Sequence, residues 1–167
     1  MATVKIAYAA SATITISPEN VATSSTFVAG VESGVIDNTT NLYVDAIVGG
    51  TWTSGTTPTI NTQVLVYVLS VRDDAPAYPD VFDGTASAET LTSAGVGQGF
   101  LKLGAIINVD STTSNRAYDV LFSVAQLFGG VMPLKWELFI THNTGVNSNS
   151  TTGNHVWKYT GITYTVA

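Results

Sequence analysis

The sequence predicts an all-β fold, a jelly-roll-like antiparallel β-sandwich of about eight strands with long loops. Threonine, valine, isoleucine and tyrosine are abundant, and these residues favour pleated, half-buried surfaces. Eight segments with strand character are separated by connections rich in Gly, Asn, Ser and Thr. A chain of 167 residues indicates a single domain, residues 1–167. That length, and the lack of a Cys…Trp…Cys spacing, favours a jelly roll over an immunoglobulin-like sandwich.

Each predicted strand has its own signal. ATITIS alternates cleanly at the N-terminal side, and TQVLVYVLSV is almost continuously apolar, as expected of a central strand covered on both faces. LKWELFI alternates, which places Glu137 on the outward face beside Lys135. Two helical turns are predicted, at 87–95 and at 123–130, the second ended by Gly129 with Pro133 soon after. The predicted strands are 12–17, 25–36, 41–48, 62–71, 100–109, 117–124, 134–142 and 155–167.

Composition excludes several functional classes. The absence of cysteine excludes disulfides, thiolate metal sites and cysteine nucleophiles. The net charge is −6 with six scattered cations, so the basic patch that a nucleic-acid partner requires is missing. No apolar run approaches the roughly 20 residues that cross a bilayer, and the N-terminus does not resemble a signal peptide, so no membrane partner is expected. Only 11% of residues are charged, which suggests that part of the surface meets other protein.

The segment VRDDAPAYPDVFDGTASAET, residues 71–90, allows three interpretations. Its four aspartates, Asp73 and Asp74 among them, offer oxygens to calcium, although the spacing of an EF-hand loop is missing. A solvated loop with Asp at turn positions is the simplest alternative. The third interpretation is a docking loop, because aromatic residues and prolines are poor partners for water and aromatics are enriched at interface cores.

Candidate catalytic groups each have a simpler explanation. Glu137, beside Trp136, is the best candidate for a carboxyl with a raised pKa, as glycoside hydrolysis would need, but an outward position on an alternating strand explains it. His142 and His155 flank the polar loop 143–154; they lack a third zinc ligand, and hydrogen bonds to turn backbone explain them better. GVGQGF lacks the lysine of a phosphate loop, and no G-x-S-x-G nucleophile motif occurs. We therefore predict no enzyme activity, no cofactor and no metal site.

Trp52, in GGTWTSG, is the one tryptophan that the pattern places in a loop. An exposed indole ring can stack on a sugar, so Trp52 is the candidate glycan contact of a carbohydrate-binding alternative.

Three segments carry a resemblance to a known family. PDVFDGTASAET, SVAQLFGGVMP and THNTGVNSNSTTGNHVWKYTGI resemble parts of small virion proteins encoded beside the major capsid protein in tailed bacteriophages, called head decoration, cement or stabilisation proteins. The resemblance implies a jelly-roll-like protein that sits as a homodimer or homotrimer on the outside of the capsid shell. It implies synthesis in the bacterial cytoplasm and a final location on the surface of the phage head.

The expected function is therefore capsid decoration, with the major capsid protein and the chain itself as partners. The alternative is a tail, fibre or capsid-displayed carbohydrate-binding module. Residues 1–17 are a candidate inter-subunit strand, because terminal strands readily pair across subunits. The candidate contacts with capsid protein or with another subunit are Tyr78, Pro79, Asp80, Val81, Phe82 and Asp83 in the loop, and Leu127 and Phe128 in the second helical turn.

Overall fold

The computed structural model describes residues 3–72 and 77–166, and these form two antiparallel β-sheets stacked as a sandwich. The predicted fold class is confirmed. The described strands are β1 (Val4–Tyr8), β2 (Ala12–Thr13), β3 (Ala29–Glu32), β4 (Ile36–Asp37), β5 (Asp45–Thr53), β6 (Thr62–Ser70), β7 (Ala88–Thr90), β8 (Lys102–Val109), β9 (Ala117–Ser123), β10 (Lys135–His142) and β11 (Val156–Val166).

One sheet has the strand order β1–β11–β5–β9, with β2 also paired to β11. The other has the order β7–β3–β10–β6–β8, with β4 paired to β10. The main core lies between them and is built from the inward residues of β5, β6, β10 and β11, including Trp52, Trp136 and Trp157. Close packing of these rings needs small neighbours. A side chain at Gly50 would begin 2.2 Å from the Trp157 ring.

The central-strand prediction for TQVLVYVLSV is confirmed. β6 pairs with β10 on one side and with β8 on the other. Val64, Val66 and Val68 enter the main core, and Leu65 and Leu69 are buried on the opposite face.

The two helical turns predicted from the sequence have different outcomes. The helical turn predicted at 87–95 is wrong, because 88–90 form β7 and the helix α1 follows at Ala94–Phe100. Ser93 caps α1, since its side chain accepts a hydrogen bond from the Val96 amide. The helix α1 contains all six residues of GVGQGF, Gly95–Phe100. The turn at 123–130 is confirmed as α2, Val124–Leu127, followed by Gly129 and Gly130 at positive φ.

A second layer covers the outer face of the six-stranded sheet. Residues 77–87 and 91–101, on either side of the edge strand β7, lie over that face and form a smaller apolar cluster with it, and the second of these segments contains α1. In this cluster the Phe82 ring meets Phe100 at 5.8 Å and Phe139 at 5.4 Å between centroids, both edge-to-face. β10 is therefore buried on both faces, although its sequence alternates.

The two ends of the sandwich differ. At one end, which we call the apolar end, the loops 38–44 and 128–134 meet where β5 and β10 begin. The Asn38 amide nitrogen donates to the Leu134 carbonyl at 2.7 Å, and the Val44 amide donates to the Ile162 carbonyl at 2.8 Å. At the opposite end, called the Asn-rich end, segments 18–24, 54–61, 110–116 and 143–155 come together.

Candidate docking surface

Exposed apolar side chains are concentrated at the apolar end. Among the described residues, fifteen large hydrophobic side chains are exposed, and nine of them belong to this end or to the strands that project from it. The loop residues among the nine include Val131, 70% exposed, and Leu134, 50% exposed. The nine are Val4, Ile6, Tyr8, Leu42, Val44, Val131, Leu134, Tyr164 and Val166. Large contiguous apolar surfaces on soluble proteins mark contact sites.

The projecting strands form a two-stranded ribbon. β11 pairs with β5 only as far as Ile162, and its last residues pair with β1 alone among the described strands. Directly opposite residues share a face of an antiparallel pair. The pairs Val4–Val166, Ile6–Tyr164 and Tyr8–Ile162 therefore place six apolar side chains on one face. The pairs Lys5–Thr165 and Ala7–Thr163 lie on the other face.

The ribbon includes part of the predicted contact segment, residues 1–17. Residues 4–8 form its edge strand, and β2 covers only Ala12–Thr13 of the predicted strand 12–17. Ile16 makes an isolated bridge with Ser33. Met1 and Ala2 lie outside the described residues.

The predicted docking loop has a structural role of its own. Phe82 is 5% exposed and sits in the smaller apolar cluster, so it is not available as a contact anchor in the folded chain. Tyr78, Pro79 and Val81 are half-buried. Tyr78 and Val81 pack against the same cluster. For Phe82 the prediction of an exposed anchor is wrong, because the loop folds back onto its own sheet.

The acids of the loop are exposed but locally engaged. Asp80, at positive φ, accepts hydrogen bonds from the Thr92 amide and hydroxyl at 2.9 and 2.6 Å. Asp83 accepts from the Thr85 amide at 2.8 Å. Asp73 and Asp74, two of the four candidate calcium ligands, lie outside the described residues. In the part of the chain that the structure describes, no group of three or more His, Asp or Glu side chains could hold a metal ion.

Leu127 and Phe128 are half-buried and pack against the main core from the end of α2. The exposed apolar residues that follow them in the chain are Val131 and Leu134, which the sequence analysis did not select. The sequence did contain a signal for these two residues. Val131 follows Gly130 and Leu134 follows Pro133, in a connection between elements where an apolar side chain has no buried strand position to occupy.

Trp52 does not lie in a loop, and this prediction is wrong. β5 extends through Thr53, and the Trp52 side chain is completely buried in the main core. The ring therefore offers no face to a sugar. The His142 and His155 rings pack beside it at 5.5 and 6.2 Å between centroids.

Both histidines are buried and bond to the backbone. His142 Nε2 lies 3.0 Å from the Val21 carbonyl oxygen. His155 Nδ1 accepts from the Thr53 amide at 3.2 Å, so its Nε2–H donates to the Asn149 carbonyl at 3.1 Å. Burial lowers the pKa of both rings below the usual value of 6.5. This arrangement agrees with the predicted hydrogen bonds to turn backbone.

Glu137 is not outward-facing, and this prediction is also wrong. Its side chain is fully buried beside that of Glu32, under the segment 77–87. Glu32 accepts hydrogen bonds from the Gly84 and Asp83 amides at 2.6 and 3.2 Å. Among the described residues, neither Glu137 oxygen has an ordinary donor. The two carboxyl groups can bond to each other only if they share a proton.

Burial is the main cause that raises the pKa of Glu137, to about 10, and contact with the Glu32 carboxyl raises it further. Burial also raises the pKa of Glu32. A glycosidase needs two carboxyls that flank a substrate in a cleft. Here both side chains are completely buried and meet each other, so the pair holds the loop on the sheet rather than facing a cleft.

The Asn-rich end carries a shallow polar cavity of about 320 Å³. Two amide–amide hydrogen bonds brace its rim: Asn147 donates to Asn20 at 3.1 Å, and Asn149 donates to Asn115 at 2.7 Å. No charged or aromatic residue lines the cavity.

Within the described ranges, no helix has the length and apolar character needed to span a membrane.

Comparison with known proteins gives no family. No family model matches the chain, and no curated protein matches it. One solved structure, described as "EclA C-terminal domain; sugar-binding protein", aligns with 99% of this chain and 80% of its own at 8% identity and a TM-score of 0.31. A similarity this low carries no argument about function.

Proposed function

We propose that this chain is a structural virion protein that binds the outside of a tailed-bacteriophage capsid as a decoration or cement protein. The observation that supports docking is the concentration of exposed apolar side chains at one end of an otherwise well-packed sandwich. The resemblance of three segments to head-stabilising proteins supplies the capsid as the partner.

In this proposal the apolar end faces the shell. Val131, Leu134 and Leu42 project from its loops and are 70%, 50% and 64% exposed. Small contacts of this kind suffice when many copies bind one lattice, because engagement at one point raises the effective concentration at the next. The chemistry is burial of apolar surface, and no catalytic step is part of it.

The test uses heads of the phage that encodes the chain, assembled without this protein. The wild-type chain should bind in regular copies visible by electron cryomicroscopy. The double change Val131→Ser and Leu134→Ser should weaken binding by at least about tenfold, since hot-spot truncations cost this much or more. Leu121→Ser is the control: Leu121 is 75% exposed but lies on β9, away from the apolar end.

Wild-type protein that ignores the heads would overturn the proposal. So would equal losses from Leu121→Ser and from the double change, because the apolar end would then have no special part.

A second candidate function rests on the Asn-rich cavity. Neutral amide groups around a concave site suit the hydroxyl groups of an uncharged saccharide, because a few placed polar groups fix a ligand's orientation. A panel of neutral host-surface oligosaccharides would test it. Binding should be lost in Asn147→Ala and kept in Thr152→Ala, which lies outside the cavity lining. Absence of binding to every member would exclude this candidate.

A further inference from the structure

We infer that the apolar face of the β1–β11 ribbon packs against the same face of a second copy of this chain, in a two-fold dimer. This self-association is separate from capsid binding and stands or falls independently of it.

The apolar face of the ribbon needs a partner surface that shields it from water. A two-stranded ribbon on its own is marginally stable in water, yet this one extends beyond β5 with one face apolar throughout. Exposures along that face are 64% for Val4, 60% for Ile6, 68% for Tyr8, 63% for Tyr164 and 73% for Val166. No described segment of the chain itself lies over these side chains, as these exposures show.

The face fits a second copy of itself. The central pair is Ile6–Tyr164, with the small Val4–Val166 pair at the free tip and the larger Tyr8–Ile162 pair at the base. A two-fold arrangement with the ribbons antiparallel places the base of one copy over the tip of the other. Large side chains then meet small ones, which is how packed layers fill space.

Charge does not oppose this pairing. Within residues 3–8 and 162–166 the one charged side chain is Lys5, and it lies on the opposite face of the ribbon. The chain's net charge of −6 is therefore carried elsewhere. Lys5 also stands on the edge strand, where a charge discourages open-ended edge pairing.

The available area is sufficient. A fully buried aromatic side chain removes roughly 150–250 Å² from water. Tyr8 and Tyr164 are 68% and 63% exposed, so burial of the four rings of two copies would remove about 500 Å². With the aliphatic side chains of both faces, the total is on the order of 1,000 Å², the size at which specific interfaces begin.

Sedimentation velocity over a wide concentration range tests the oligomeric state. The wild-type chain should be a dimer that dissociates on dilution. Replacing Ile6 and Tyr164 with threonine keeps strand propensity and should weaken self-association by at least about tenfold. Leu121→Thr, at a similarly exposed position on β9 and outside both the ribbon and the apolar end, should leave it unchanged.

Because the chain has no cysteine, single introduced thiols report the geometry directly and do not depend on how the threonine variants fold. Ile6→Cys, at the centre of the face, should form a disulfide-linked dimer under mild oxidation. Lys5→Cys, on the other face, should not.

Several results would overturn the dimer. They are a monomer at every concentration, a trimer, or equal cross-linking from the two cysteine variants. A monomer that still decorates phage heads through the ribbon would reject self-association and leave the proposed function intact.

Discussion

Glu137 shows how burial sets the protonation of a single residue. Its carboxyl group lies out of water beside Glu32, while the Gly84 and Asp83 amides hold the Glu32 carboxylate. The backbone donors favour charge on Glu32. The shared proton therefore stays on Glu137, whose pKa burial raises to about 10.

The expected consequence is alkaline instability. In the unfolded chain Glu137 ionises near its usual pKa of 4.5, so between that pH and about 10 the folded state binds more protons. The free energy of unfolding must then fall as pH rises, by at most about 1.4 kcal/mol per pH unit from this group. Urea titrations from neutral pH to about pH 9 would measure that slope.

Glu137→Gln should abolish most of the slope, because a neutral amide can still donate to Glu32. Glu89→Gln is the matched control, since the Glu89 carboxylate accepts from Ser87 at 2.8 Å in a partly exposed place. A slope that persists unchanged in Glu137→Gln would show that the buried pair does not control stability above neutral pH.

At the scale of elements, alternation and apolar runs located the long strands but could not show what covers them. The predicted strands at 62–71, 117–124 and 134–142 match β6, β9 and β10 closely, because each has a strong local pattern. Glu137 and Trp52 were misplaced for a different reason. The first is covered by a distant segment, 77–87, and the second lies where β5 continues through two glycines.

The covering segment also changes what a loop mutation should do. Phe82 stacks edge-to-face on Phe100 and Phe139, so Phe82→Ala should lower the free energy of unfolding by about 3 kcal/mol or more. It would affect docking through stability rather than through lost contact. Chemical denaturation of the isolated chain would show the loss.

Pro79→Ala supplies the comparison, because Pro79 is half-buried in the same loop and its removal should cost much less. If Phe82→Ala and Pro79→Ala were equally stable, Phe82 would be a surface anchor after all.

The two ends of the whole molecule expose different kinds of side chain. One end concentrates exposed apolar side chains, and the other is neutral and rich in asparagine, with two buried histidines beneath it. The apolar end could not be derived from sequence, because Leu42, Val131 and Ile6 come from three separate segments that only the sandwich topology brings to one end.

The same topology predicts a change of slope near pH 6.5 in the pH dependence of the stability of the whole chain. Burial lowers the pKa of His142 and of His155 below 6.5 in the folded chain, so each ring stays neutral to a lower pH there than in the unfolded chain. As pH falls below 6.5 the unfolded chain binds protons that the folded chain does not, and stability falls, by up to about 1.4 kcal/mol per pH unit for each histidine. Well above pH 6.5 both rings are neutral in the folded and in the unfolded chain, so Glu137 dominates the pH dependence of the free energy of unfolding.

From pH 9 down to about 6.5 the melting temperature should rise because of Glu137, and below 6.5 the two histidines oppose that trend, so the curve should flatten or turn downward. Calorimetry across the range from about pH 5 to pH 9 would trace the curve. Glu137→Gln should remove the decline towards pH 9 and steepen the loss of stability below pH 6.5, because Glu137 acts on both sides of that pH. His155→Gln, which keeps a donor and an acceptor in place of the ring nitrogens, should reduce the acid side of the curve alone. A curve that rises steadily towards pH 9 would contradict the buried carboxyl pair, and one whose slope does not change near pH 6.5 would contradict the lowered pKa values of the buried histidines.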